Sequence, residues 1–288
     1  MKDFLAPCMV VGARGMLGRD LCASLREIGT HIVEMDIPEM DISSLSSVMD
    51  VMGKVKPKLV INVAALTDVD GCESQQEQAF KVNATGPENL AVAVNELGSF
   101  LVHISTDYVF DGSKNMPYRE DDPPNPLGIY GKSKLEGELS IKRVLSTNYC
   151  IIRTQWLYGA NGKNFVDTII RAGGENKTLK IVNDQFGSPT YTVDLSAAII
   201  KLCLMRANGV FHVTNSGYTT WSGFASKIFK LVGLDDVEIQ DIDTRRLGRP
   251  APRPLYSVLD NSRFVRLTGI KLPQWEDAVG KYLFGRTV

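Results

Sequence analysis

Residues 8–18 read CMVVGARGMLG. The apolar run Cys8–Val11 passes straight into a turn with glycines at 12, 15 and 18, and MLGRDLCASLREIG, which follows, has helical apolar spacing. A short, unbroken apolar run closed by glycine is how a strand reads when both faces of its sheet are covered. Glycine in a strand-to-helix turn allows a tight bend and lets the backbone approach a pyrophosphate. The helix start then offers unpaired N–H groups and the positive end of its dipole. The spacing is GxxGxxG, not the GxGxxG of the commonest dinucleotide fingerprint. As a bare triplet it marks only a turn; placed after the first strand it points to a nucleotide.

The pattern repeats outward from this unit. HIVEMD, KLVINVAA, FLVHIST and YCIIRT read as further strands. SSLSSVMDVMGKV and PENLAVAVNELG read as helices between them, the first started by capping serines and the second carrying proline near its first turn. The stretch between KLVINVAA and PENL reads as a loop. Repeated βα units require right-handed crossovers and build an α/β, Rossmann-like, doubly wound parallel sheet. In the second half, NFVDTIIRAGG, YTVDLSAAIIKLCLM, WSGFASKIFKLVG and a segment near WEDAVGKYLFG are helical, and GVFHVTN is a strand expected to rejoin the main sheet. The expected division is a dinucleotide-binding domain over 1–157 plus about 190–215, interleaved with a smaller substrate-binding lobe over about 158–189 plus 216–288.

Bulk properties exclude several functions. A formal net charge of −1 gives no field to recruit nucleic acid or an anionic membrane. No apolar run approaches the ~20 residues that cross a bilayer, and the first residues lack a signal peptide's basic start, so a soluble cytoplasmic protein is expected. Five cysteines without CxxC spacing and three dispersed histidines make a zinc site improbable. The cysteines read as small core residues.

Asp36 closes the second strand, where a carboxylate can accept hydrogen bonds from an adenosine ribose and would repel a 2′-phosphate. Arg14, inside the glycine turn, favours that phosphate instead. The two residues leave NADH and NADPH both open.

LGIYGKSK, residues 127–134, puts Tyr130 four residues ahead of Lys134, on one helix face. A free phenol has a pKa of about 10, and lowering it by about three units needs about 4 kcal/mol. An ammonium ~5 Å away supplies about 3 kcal/mol at an effective dielectric near 20. The pair is therefore of the right size for a tuned proton donor, whereas an isolated YxxxK is most often a solvated face. The fourth strand ends in Ser105-Thr106-Asp107, at the carboxyl edge where open α/β sheets bind ligands.

GARGMLG, NVAALTDVD, VNATG, STDYVFDG, YGKSK, RTQWLYG, DQFGSPT and RPLYSVLD occur in the order found in dTDP-4-dehydrorhamnose reductases, the RmlD-type extended short-chain dehydrogenases, which the chain thus resembles from residue 12 to about 260. The resemblance implies NADPH- or NADH-dependent reduction of the C4 ketone of dTDP-4-dehydro-β-L-rhamnose. It implies Thr106, Tyr130 and Lys134 as the catalytic trio, with Tyr130 protonating the C4 oxygen, Thr106 orienting it, and Lys134 lowering the tyrosine pKa and gripping the ribose. Gly12, Arg14, Gly15, Met16, Leu17, Asp36, Asp41, Ile42, Ala64 and Ala65 match cofactor-contact segments. Tyr108 and Trp156 look like walls of the sugar pocket, and Arg253 like a fork for the diphosphate; for Trp156 core packing carries equal weight. Some members hold a divalent ion at a dimer contact through acidic residues; those acids are not matched here, so no metal is expected, and a homodimer stays open. Two rivals share the fold: a regulatory subunit of methionine adenosyltransferase, which acts by binding a partner, and a nucleotide-sugar epimerase or dehydratase, which recycles its cofactor.

Overall fold

The computed structural model describes residues 5–285. Six strands form the central sheet: β1 (Cys8–Val11), β2 (Ile32–Met35), β3 (Leu59–Asn62), β4 (Phe100–Thr106), β5 (Tyr149–Thr154) and, after four short strands, β10 (Gly209–His212). Their order is β2-β1-β3-β4-β5-β10 and every pairing is parallel. The chain winds from β1 outward to β2, then returns and winds the other way from β3 to β10. The direction therefore switches between β1 and β3, and the carboxyl ends of those strands border the crevice in which such sheets take ligands. GVFHVTN rejoins the main sheet as expected.

Strand side chains alternate between two cores. Cys8, Val10, Leu59, Ile61, Val102 and Ile152 face a layer built from α1 (Met16–Glu27) and α8 (Thr192–Leu204). Met9, Val11, Val60, Leu101 and Ile151 face α2 (Leu45–Val55), α5 (Gly86–Leu97) and α6 (Ile129–Val144). Full burial of each such Val, Leu or Ile is worth about 1.5–3 kcal/mol, so the two faces together fix the register of every strand. All five cysteines are buried and free.

A third core surrounds Tyr158, Phe224, Phe229, Trp275 and Tyr282. Around it lie α7 (Phe165–Glu175), α9 (Trp221–Val232) and α12 (Trp275–Phe284). Short strands edge it: β6 (Leu157–Tyr158) pairs in parallel with β9 (Thr190–Tyr191), β7 (Thr178–Val182) in parallel with β12 (Glu238–Ile242), and β8 (Phe186–Gly187) antiparallel with β11 (Thr219–Thr220). The remaining helices α10 (Thr244–Leu247) and α11 (Ser262–Thr268) are short.

The structure departs from the sequence reading between β3 and α5. That stretch is α3 (Val69–Ser74), α4 (Gln76–Phe80) and a π-helical turn, Lys81–Thr85, that runs into α5. Each piece is too short to show a helical period. The segment is held by side chains instead: Asp68 caps α3 through Gly71 N–H at 3.0 Å, and the buried Asn83 amide bonds Leu66 both ways, accepting from its N–H at 2.8 Å and donating to its carbonyl at 3.1 Å. Among the described residues no helix is long and apolar enough to cross a membrane.

Candidate active site

The glycine turn forms as a close-packed corner. Gly12 has φ +82°, and a Cβ on it would lie 2.6 Å from Ala64 N, so only glycine lets β1 turn against the end of β3. Gly15 starts α1 with no side-chain cap, and the first turn of α1 carries no acidic residue. Its N–H groups are thus presented with the dipole's positive end beside the switch point, which fits a pyrophosphate. Asp36 stands next to this corner: its Oδ2 accepts from Arg14 N–H at 3.0 Å and its Oδ1 from Ile37 N–H at 3.0 Å. Arg14 does not stand free for a phosphate. Its guanidinium donates to Ile37 O at 2.9 Å and pairs with Glu39, which raises the arginine's pKa through that bond and charge.

The other expected cofactor residues separate by what they present. Ala64 lies against Gly12, and its N–H donates to Asn62 Oδ1 at 3.1 Å. Ala65 follows it, half-buried. Asp41 folds back on Ser43, accepting from its N–H and hydroxyl at 2.9 and 2.8 Å. Leu17 and Ile42 turn their side chains into the two cores, which leaves only their backbone for a ligand. Met16 is half-buried at the start of α1. The residues around this corner fit a dinucleotide: a tight glycine turn, an uncapped helix start and a carboxylate at the end of β2.

Gly12 follows β1, Ala64 follows β3 and Thr106 ends β4, and these strands are neighbours. At roughly 4.8 Å per strand, about 10 Å of sheet edge separates the glycine turn from Thr106. There α6 presses in. Its first residue, Ile129, donates its N–H to Glu73 Oε1 at 2.8 Å, an external cap supplied by α3. A Cβ on Gly131 would lie 2.2 Å from Tyr108 O, so glycine there lets the helix seat against the turn after β4. That seat brings Tyr130 edge-on to Tyr108, ring centroids 5.5 Å apart, and within hydrogen-bonding reach of the Thr106 hydroxyl.

Burial raises the Tyr130 phenol pKa well above its ordinary value, and the Thr106 bond offsets this only in part. Lys134, 2% exposed, donates to Ile104 O at 2.6 Å and lies 3.4 Å from His103 Nε2. Burial pushes Lys134 down to about 8, against the pull of Glu138. The expected lowering of the tyrosine by the lysine is thus not what the isolated chain displays. The phenol is held protonated by burial, and the lysine is engaged with β4.

Several partners here escaped the sequence reading because they come from distant segments. Asp107 is buried; desolvation pushes its carboxyl up to about 7, although Ser257 Oγ donates to it at 2.6 Å and Thr106 Oγ1 at 3.0 Å. Arg253 forks onto Asp70, with Nη1 to Oδ1 at 3.1 Å and Nη2 to Oδ2 at 2.9 Å, and also bonds Tyr108. The fork expected for a diphosphate is therefore already braced by a carboxylate. Trp156, at φ +48°, stacks on Trp221 with centroids 3.6 Å apart, so one of its faces is packed. Its neighbour Gln155 meets Ser257 at 3.4 Å, which joins the bend between β5 and β6 to the Asp107 cluster. Beneath the site, Arg153 and Glu138 form a buried pair at 2.7 Å that also takes the Ser105 hydroxyl at 2.6 Å. In the sequence these places were marked only by the matching NVAALTDVD, STDYVFDG, YGKSK, RTQWLYG and RPLYSVLD segments, which show Asp70, Asp107, Arg153, Gln155 and Ser257 without their partners. Among the described residues no group of three or more His, Cys, Asp and Glu could hold a metal ion.

A doubly wound sheet with a glycine turn at its switch point, and a Tyr-xxx-Lys helix packed at its carboxyl edge, defines an extended short-chain dehydrogenase/reductase fold. Comparison with known proteins narrows the class. The chain belongs to the family described as the RmlD substrate binding domain, whose model matches residues 7–286. It is 42% identical over 279 residues to the spore coat polysaccharide biosynthesis protein SpsK of Bacillus subtilis, covering 97% of each chain. It is 40% identical over 277 residues to a dTDP-4-dehydrorhamnose reductase of Streptomyces griseus, covering 94% of this chain and 91% of that one. A crystal structure of dTDP-4-dehydrorhamnose reductase from Bacillus anthracis in complex with NADP superposes with a TM-score of 0.93 at 38% identity, covering 97% of this chain and 99% of the other.

Proposed function

We propose that this chain is an NAD(P)H-dependent oxidoreductase that reduces the C4 ketone of dTDP-4-dehydro-β-L-rhamnose to dTDP-β-L-rhamnose, within dTDP-rhamnose biosynthesis. The observation that carries the reading is the packing of Tyr130 against Thr106 and Tyr108 at the carboxyl edge of β4, two strands from the glycine turn. The relatives named dTDP-4-dehydrorhamnose reductase, and the NADP complex of one, support it.

The chain's own groups divide the work. Gly12, Gly15 and the start of α1 would hold the pyrophosphate, Asp36 the adenosine ribose, and Ala64 and Ala65 would lie along the dinucleotide at the end of β3. When bound, the reduced nicotinamide supplies the hydride. Tyr130 delivers the proton to the C4 oxygen: a buried phenol keeps its proton until an alkoxide-like oxygen, a far stronger base, develops beside it. Thr106 would orient that oxygen by turning its one hydroxyl proton from Asp107 toward it, and its place beside the phenol positions the donor as well. Lys134 exchanges its Ile104 contact for a ribose hydroxyl and brings positive charge toward the phenol as the proton leaves. Tyr108 and Trp156 would line the sugar. Arg253, held in orientation by Asp70, offers its remaining N–H groups to the diphosphate. Residues 1–157 with about 190–215 would then carry the dinucleotide, and about 158–189 with 216–288 the sugar nucleotide. Both reactants are water-soluble, and we place the reaction in the cytoplasm.

The test is turnover. The protein mixed with the 4-keto-6-deoxy sugar nucleotide, its 3,5-epimerase and NADPH or NADH should oxidise one nicotinamide per sugar reduced. No oxidation with either cofactor, while the epimerase is active, would remove the reading. Cofactor recycled without net consumption would favour an epimerase, and co-purification with a methionine adenosyltransferase without turnover would favour the regulatory subunit.

A further inference from the structure

Behind Lys134 lies a chain of hydrogen bonds whose direction is fixed at one end. The Ala64 N–H is a donor and nothing else, and it meets Asn62 Oδ1 at 3.1 Å. The Asn62 carboxamide therefore cannot be turned over, and its Nδ2 is the atom that faces His103 Nδ1 at 3.1 Å. An NH2 group can only donate, so His103 Nδ1 must be the acceptor. His103 is fully buried, and burial together with the Lys134 charge holds its pKa well below the ordinary histidine value, so the ring is neutral. A neutral imidazole with an unprotonated Nδ1 carries its proton on Nε2, and Nε2 lies 3.4 Å from Lys134 Nζ.

We propose that Asn62 and His103 are positioning residues for Lys134: the Asn62 amide locks His103 as the Nε2–H tautomer, and that N–H is aimed at the lysine nitrogen. An N–H can bond that nitrogen only through a lone pair, which the amine has and the ammonium lacks. The arrangement therefore favours the amine and keeps Lys134 able to gain and lose a proton near neutral pH. It also ties the lysine, by three consecutive side-chain and backbone contacts, to the Ala64 backbone that abuts the glycine turn.

The other charged groups around Lys134 are few. On its own helix Glu138 favours the ammonium, and Tyr130 lies one turn away. From β4 come His103 and, past Thr106, Asp107; from β5 comes Arg153, which holds Glu138 at 2.7 Å. β3 contributes the neutral Asn62, which bonds His103. A second buried histidine gives an internal contrast. His212 faces Tyr118 O through Nδ1 at 3.0 Å and Arg153 Nη1 through Nε2 at 3.4 Å, a carbonyl and a cation, which demand the opposite tautomer.

Two measurements test the proposal, and only the second rests on the reductase reading. Long-range proton–nitrogen correlation spectra of the 15N-labelled full-length protein should show His103 with a protonated Nε2 and a bare Nδ1, and His212 the reverse. His103→Gln identifies the His103 signals by their loss. A His103 ring protonated at Nδ1, or at both nitrogens, overturns the proposal whether or not the protein turns over. The kinetic arm compares His103→Gln, whose amide N–H replaces Nε2–H, with His103→Asn, which puts nothing at that place. In the asparagine variant the alkaline limb of kcat/KM should move up by about one pH unit, because the ammonium is no longer opposed. Glutamine should keep the limb near the parent value, and the sugar-nucleotide KM should stay within about twofold in both. Identical pH profiles for the two variants would also overturn it. Absence of turnover in the parent protein, with the His103 tautomer as expected, would sink the reductase assignment and leave the hydrogen-bond chain standing.

Discussion

The two ends of the site are held by opposite means. At the β1 end the cradle is backbone and near neighbours: Gly12 turns the chain, α1 supplies N–H groups, and the Asp36 that accepts from Arg14 lies only 22 residues away in sequence. At the β4 end the working side chains are braced by residues 150 and 183 positions away, Ser257 on Asp107 and Arg253 on Asp70. The first end needs only the run from β1 to the end of β3 to be correct. The second needs residues near 253–257 packed against the ends of α3 and β4. The β1 end is therefore built largely from nearby sequence, and at the β4 end interleaved packing sets orientation.

The largest effect expected from breaking this comparison lies at the sugar end. Tyr130→Phe removes one oxygen from a packed ring and should lower kcat by about a thousandfold, with the cofactor Kd nearly unchanged. Single-turnover kinetics beside cofactor titration checks this, and retained activity would contradict the proton-donor role. Glu138→Gln comes next. It leaves Arg153 buried without its partner and should cost about 3–5 kcal/mol in denaturant unfolding. Loss of under about 1 kcal/mol would mean that water reaches the pair.

Arg253→Lys keeps the charge but loses the two-pronged contact with Asp70. The sugar-nucleotide KM should rise roughly tenfold or more while the cofactor KM stays put; equal changes in both would show that the two ends are not separate. Asp107→Asn probes stability. The native carboxyl sits at about 7, above its unfolded value of 3.8, so its protonated form favours the fold below about pH 4 and that advantage is lost as pH rises through 7. The asparagine variant should accordingly be more stable than the parent at pH 8, by on the order of 2 kcal/mol, with the difference shrinking toward pH 4. An unchanged pH dependence would place the titration elsewhere. The smallest effect is at the cofactor end: Glu39→Ala frees the exposed Arg14 and should shift preference toward NADPH by a few-fold, read as the ratio of kcat/KM for the two cofactors.

The same contrast explains what could be read from the sequence. Glycine spacing, buried strands and a Tyr-xxx-Lys helix leave local marks, so the sheet, its return at β10 and the trio's elements were legible. The 69–85 segment was not, because its order comes from Asn83 and Asp68 rather than from a period. Nor were Asp70, Ser257 and Glu73 as braces, since each meets its partner only across the fold. Arg253 was read as a fork for the diphosphate and Arg14 as a residue able to pair with a 2′-phosphate, and neither reading included Asp70 or Glu39, because a cation's partner is invisible until the chain closes.

The central claim is that a hydride and the Tyr130 proton reach one sugar carbonyl at the edge of β4. Turnover with nicotinamide deuterated at its transferable position, followed by NMR of the product, tests it most directly. The account predicts deuterium bound at C4 of the sugar, one per nicotinamide oxidised, and almost none with Tyr130→Phe. Product without deuterium at C4, or full incorporation by the phenylalanine variant, would contradict it.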